Sequence, residues 1–181
     1  MKEYTAIDLI DKNLSEIVAL MGADYQLGSI NILGKVFTIA DVSDSALMVY
    51  NETTMSGIAL EVPYSIKQEI ESGVNVREKI QRGDYDYNSI VVYDNRKLND
   101  TISANMTYTD LTQELGDFDC KGAGGERNYF YNTEINNAKV YYYFDFYSIA
   151  DFYQYTQNGI IPSVNMRTLN PKISRIEVIK K

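Results

Sequence analysis

A chain of 181 residues with 45% hydrophobic side chains is long enough to bury a core of its own, which excludes global disorder. Its 25 Asp and Glu against 17 Lys and Arg leave a formal charge of −8 and a pI near 4.6. A nucleic-acid or anionic-membrane surface, which needs clustered cations, is therefore not expected. Histidine is absent and Cys120 is the sole cysteine, which removes histidine-dependent triads, the common zinc and iron ligand sets and an internal disulfide.

Residues 1–8 contain no apolar stretch, so no signal peptide is expected, and no run approaches the ~20 apolar residues of a membrane span. The first helix is predicted after Asn13, with Glu16 completing a capping box. Leu14, Ile17, Val18 and Met21 make its apolar face, and Gly22, expected in the left-handed region, ends it. Strands are predicted at 28–33, 35–41, 45–51 and 56–62, with a hairpin turn over 41–45 and Pro63 closing the series. Two short helices follow. Ser65 with Gln68 and Asn75 with Glu78 read as capping boxes, Ile66/Ile70 and Val76/Ile80 as apolar pairs, and Gly73 and Gly83 as stops. Residues 84–88 open like a calcium loop, but Ser89 and Asn95 stand where that loop needs Gly and Glu. The spacing instead predicts a solvated turn into a strand over Ile90–Tyr93.

Residues 105–119 repeat the chemistry of residues 11–25 when Gly116 is superposed on Gly22. Thr107 caps, Asp110 stands at N3, Tyr108, Leu111 and Leu115 form the face, and Gly116 is the stop. Helices this short do not hold themselves in water, so each copy has to lie on a sheet. Lys121–Arg127 reads as a flexible glycine-rich turn without the surroundings of a phosphate cradle. Strands are then predicted at 128–134, 138–147 and 172–180. The region 148–171 reads as irregular, with Ser148 and Asp151 capping one short helix.

The run from Ile102 to Asp117 resembles the Gly-Met-Thr/Ser-x-x-Glu-Val … Leu-Gly-x-Pro opening of the β-lactamase-inhibitor-protein-like superfamily, shared with small outer-membrane assembly lipoproteins. Asn105 and Asp11 replace the family glycine; both residue types tolerate positive φ. Asp117 and Ala23 follow the final glycine where the family has its proline. The resemblance implies a tandem duplication of helices on an antiparallel sheet, whose open, concave face binds the partner. It also implies an exported protein, lipid-anchored in its precursor.

Sixteen tyrosines and no tryptophan point to the same sheet. In residues 140–147, strand alternation puts Val140, Tyr142, Phe144 and Phe146 on a core face. Tyr141, Tyr143, Asp145 and Tyr147 fall on the other, where the resemblance places partner recognition. Cys120 reads as a small semi-buried side chain rather than a reactive thiol. The carboxylate pairs Asp84/Asp86 and Asp117/Asp119 read as turn residues rather than a catalytic acid and base.

The expected fold is therefore α+β: two tandem repeats of short helices packed on an antiparallel sheet. The first repeat spans 1–63, a helical linker with a connecting strand 64–98, and the second repeat 99–181. The expected function is a non-enzymatic protein-binding module, exported and envelope-associated, meeting a protein or cell-envelope component through Tyr141, Tyr143, Asp145 and Tyr147. No catalytic residue, cofactor or metal is expected. The alternatives are a cytosolic acidic inhibitor of the immunity or antitoxin type and a carboxylate-dependent hydrolase.

Overall fold

The computed structural model describes residues 4–28, 46–54, 56–93, 96–122, 129–145 and 153–180. Its chain order is α1 (Ala6–Leu9), α2 (Leu14–Met21), β1 (Gln26–Gly28), β2 (Ala46–Asn51), β3 (Ser56–Glu61), α3 (Tyr64–Ser72), α4 (Val76–Arg82) and β4 (Ser89–Tyr93). There follow α5 (Tyr108–Leu115), β5 (Cys120–Gly122), β6 (Tyr129–Ile135), β7 (Ala138–Phe144), β8 (Ile160–Ile161), α6 (Ser163–Leu169) and β9 (Ile173–Ile179). The nine strands form one antiparallel sheet in the order β1-β2-β3-β4-β9-β7-β6-β5-β8. The fold is α+β, with helices packed on an antiparallel sheet.

The capping chemistry read for α2 and α5 is present. Asn13 Oδ1 accepts from the Glu16 N–H at 2.9 Å and Glu16 Oε1 accepts from the Asn13 N–H at 3.2 Å. Thr107 and Asp110 make the same reciprocal pair on α5. Both helices stop at glycine, but in a different conformation from the one expected. Gly22 has φ 105°, ψ 162° and Gly116 φ 75°, ψ 178°, an extended positive-φ region open essentially to glycine alone. The chain thus leaves each helix already extended, and a strand starts four residues later.

The linker caps are a correction. α3 opens at Tyr64 behind Pro63, so Ser65 lies inside the helix, and α3 has no side-chain cap. Asn75 precedes α4 with φ 53°, ψ 28° and makes no capping bond. An N-cap folds its side chain onto the first turn from extended backbone; Asn75 is instead used to turn the chain tightly between α3 and α4. Gly73 and Gly83 do end those helices. A second correction concerns Asp11 and Asn105, neither of which takes a positive φ. Within 148–171, β8 and α6 form where only irregular chain and an earlier helix were read. The strand at 35–41, the turn at 41–45 and the helix capped by Ser148 and Asp151 lie outside the described residues.

One core cluster lies between the helices and one sheet face, built from Leu14, Ile17, Val18 and Met21 of α2, Tyr108 and Leu111 of α5, and alternate residues of the long strands. Side chains tie the helices down. The Tyr87 hydroxyl donates to Lys12 O at 2.6 Å, at the α1–α2 turn, and the Tyr108 hydroxyl donates to Phe118 O at 2.8 Å. On the opposite sheet face, Ala46, Met48, Ala59, Val91 and Tyr93 form a smaller buried cluster. That face is therefore closed over β2–β4, and its exposed portion lies over β6, β7 and β9.

Candidate functional site

The β7 alternation runs as expected. Val140, Tyr142 and Phe144 are buried in the helix-side core, and Tyr141 and Tyr143 are half-buried on the other face. Antiparallel register then decides their neighbours. Phe130, Tyr143, Arg175 and Tyr93 stand directly opposite one another across β6, β7, β9 and β4. Asn132, Tyr141, Glu177 and Val91 make the adjoining row. Ring centroids of Phe130 and Tyr141 are 5.3 Å apart, Phe130 and Tyr143 5.9 Å, and Tyr141 and Tyr143 6.4 Å. The Arg175 guanidinium lies 3.9 Å above the Tyr143 ring, a cation–π contact. Burial pushes the Tyr143 phenol up from its ordinary pKa, with the Glu177 charge adding to the shift and Arg175 opposing it.

Asp145 sits one residue past the end of β7, exposed, with its N–H donating to Lys172 O at 2.9 Å. A register shift between Tyr143 and Phe144 separates it from the regular ladder. Tyr147 and Phe146 lie outside the described residues.

Beside the tyrosines, Ser89 Oγ donates to Glu177 Oε1 at 3.1 Å, and Glu61 approaches the same carboxylate. Burial raises the Glu177 pKa above the usual carboxylate range, and the like charge of Glu61 raises it further; the Ser89 hydroxyl and Arg175 oppose them. The folded state therefore holds this proton more tightly than the unfolded chain does. Stability falls as pH rises from the ordinary glutamate range through the raised value. Glu177→Gln is expected to raise Tm at pH 7 and leave it unchanged below both pKa values. A variant that melts lower than the parent at pH 7 would show the charge to be stabilising instead.

The other sites weighed in the sequence are occupied by structural bonds. The Asp84 carboxylate pairs with Arg82 at 2.9 Å and Asp86 with Lys180 at 2.8 Å. Asp117 pairs with Arg167, and Asp119 Oδ1 accepts from the Ser163 N–H at 2.7 Å, at the start of α6. Cys120 is fully buried, and burial pushes its thiol far up, with the Asp119 charge adding. Among the described residues no three acids or cysteines converge as metal ligands, and no helix is long and apolar enough to cross a membrane.

Phe130, Arg175, Glu177, Ser89 and Glu61 were not singled out in the sequence. Arg175 and Glu177 did carry a signal, since they alternate with Ile176 and Val178. Their placement beside Tyr141 and Tyr143 depends on strand register, which crosses long stretches of chain. Comparison with known protein families, with characterised proteins and with solved structures finds no match to this chain.

Proposed function

We propose that the protein is a non-enzymatic binding module whose β6–β7–β9 face engages a protein partner. The observation that carries this is the half-buried aromatic ladder of Phe130, Tyr141 and Tyr143, held together by ring contacts and by Arg175 on Tyr143. Tyrosines of this kind offer large rigid contact area with a polar tip, and arginine adds a directed charge. Asp145, exposed one residue past the end of β7, continues the strand that carries the tyrosines.

The resemblance at residues 102–117 makes the partner a protein or cell-envelope component and the native protein an exported, lipid-anchored one. It also reads the two halves as a tandem duplication. Supporting that reading, among the described residues α2, β1, β2 and β3 follow one another as α5, β5, β6 and β7 do, and the two runs join one sheet through the β4–β9 pair. A second reading, a cytosolic acidic inhibitor, is favoured by the charge of −8, which would complement a basic toxin surface.

Tyr141→Ala with Tyr143→Ala is the test, with affinity capture from the native host as the readout. The double variant is expected to keep a cooperative melt and lose the captured partner, since buried aromatic anchors carry about 2 kcal/mol or more each at such surfaces. Capture of the same partners by a folded double variant would sink the reading.

A further inference from the structure

The sheet carries a wedge in its first half. β3 pairs with β2 along its whole length, and β4 with β9 along its whole length. Between themselves they pair only from Ala59↔Val91 to Glu61↔Ser89. Ser56, Gly57 and Ile58 therefore part from Val92 and Tyr93. A cavity of about 330 Å³ occupies the opening, floored by Ala6, Leu9, Met21, Ile58 and Val92 and edged by the exposed Leu20. Protein interiors leave few voids larger than one water. A space of this size with an apolar floor is instead on the scale of a small-ligand site.

The polar groups around the opening are unequal in what they have left to offer. The Asn51 amide donates to Met21 O and to Asp24 Oδ1 and accepts from the Thr53 and Thr54 N–H groups. The Thr54 and Ser56 hydroxyls are bonded to each other at 2.6 Å. Arg96 differs. Its backbone is anchored: the N–H donates to Tyr93 O at 3.0 Å and the C=O accepts from the Ala104 N–H at 3.0 Å, which holds the residue at the cavity. Among the described residues, however, no acid pairs with the guanidinium of this half-buried residue, in a chain with 25 acidic residues. An arginine with no acid partner among the described residues, set beside an apolar cavity, is a receptor for one carboxylate, which it meets with two parallel N–H donors. The Asp24 carboxylate also lines the cavity and would repel a second anionic group.

We propose that the β3–β4 wedge binds an apolar monocarboxylate, its hydrocarbon body on Leu9, Met21, Ile58 and Val92 and its carboxylate on Arg96. This site lies at β3–β4, meeting the rows of the tyrosine face only at Val91 and Tyr93, and does not depend on that face's function. Calorimetric titration of the full chain with sodium octanoate tests it, with 1-octanol and octylamine as neutral and cationic probes of the same length. Octanoate is expected to bind at one site and raise Tm. Arg96→Gln is expected to weaken octanoate roughly tenfold or more, leaving the unliganded Tm and the octanol affinity unchanged. Leu20→Glu is expected to weaken both. Acetyl-Ile-Val with a free carboxylate presents the same group as a peptide terminus, and the tighter of the two carboxylates identifies the source the wedge suits. Absence of binding by both at millimolar concentration, or equal octanoate affinity in Arg96→Gln, overturns the proposal.

Discussion

Phe144→Ala is expected to cost about 3–5 kcal/mol, the range for emptying a fully buried phenylalanine site. Phe144 is 1% exposed and stands between Tyr108, at 6.3 Å between ring centroids, and Phe118, at 6.1 Å. Phe118 in turn packs at 4.8 Å on Tyr108 and stacks at 4.0 Å on Tyr131. One ring therefore supports the contact between α5 and the sheet, and the surrounding aromatic side chains are too rigid to collapse into the space it leaves. For a domain of this length the loss corresponds to a drop in Tm of roughly 6–20 °C. Urea denaturation checks it, with Tyr141→Ala on the same strand as the comparison. Tyr141 points to the opposite, half-exposed face, so its replacement is expected to cost much less. Equal losses for the two variants would contradict the two-faced assignment of β7.

Asn51→Ala is expected to cost about 2–4 kcal/mol, because it strips the partners from several backbone groups at once. The Asn51 side chain is 3% exposed. Its Nδ2 donates at 2.8 Å to Met21 O, one of the carbonyls left without a partner at the end of α2, and at 2.8 Å to Asp24 Oδ1. Its Oδ1 accepts from the Thr53 N–H at 2.9 Å and the Thr54 N–H at 3.3 Å, shaping the β2–β3 turn. One amide thus clips the end of a helix, the chain leading into β1 and a hairpin turn together. Asn51→Asp removes the donors and sets a second carboxylate beside Asp24. That variant is expected to recover stability as pH falls and the new carboxyl is protonated, while Asn51→Ala shows no such recovery. Equilibrium unfolding at pH 7 and pH 4 separates the two.

Both predictions mark how far local chemistry reaches. The capping boxes at Asn13/Glu16 and Thr107/Asp110, the glycine stops and the two faces of β7 were legible because each depends on residues within a few positions. The linker caps misled for the same local reason. Ser65/Gln68 and Asn75/Glu78 have the right spacing, but Pro63 starts α3 early and the α3–α4 turn takes Asn75 into the left-handed region. Asn51 and Arg96 offered no local pattern at all. Their significance comes from what the fold brings near them: Met21 and Asp24 at Asn51, and the cavity at Arg96.

What the sequence by itself determined was the kind of element at each place: periodicity, caps and glycines act over one or two helical turns, so α2, α5, β7 and an α+β class were already written there. Only the tertiary structure decided that one sheet joins both halves through β4 and β9. It alone set Arg175 and Phe130 beside the tyrosines, closed the same face over β2–β4, and parted β3 from β4 to leave a cavity beside Arg96. Those are matters of strand order and register, and register is settled by burial across distant segments of chain rather than by the neighbours of any one residue.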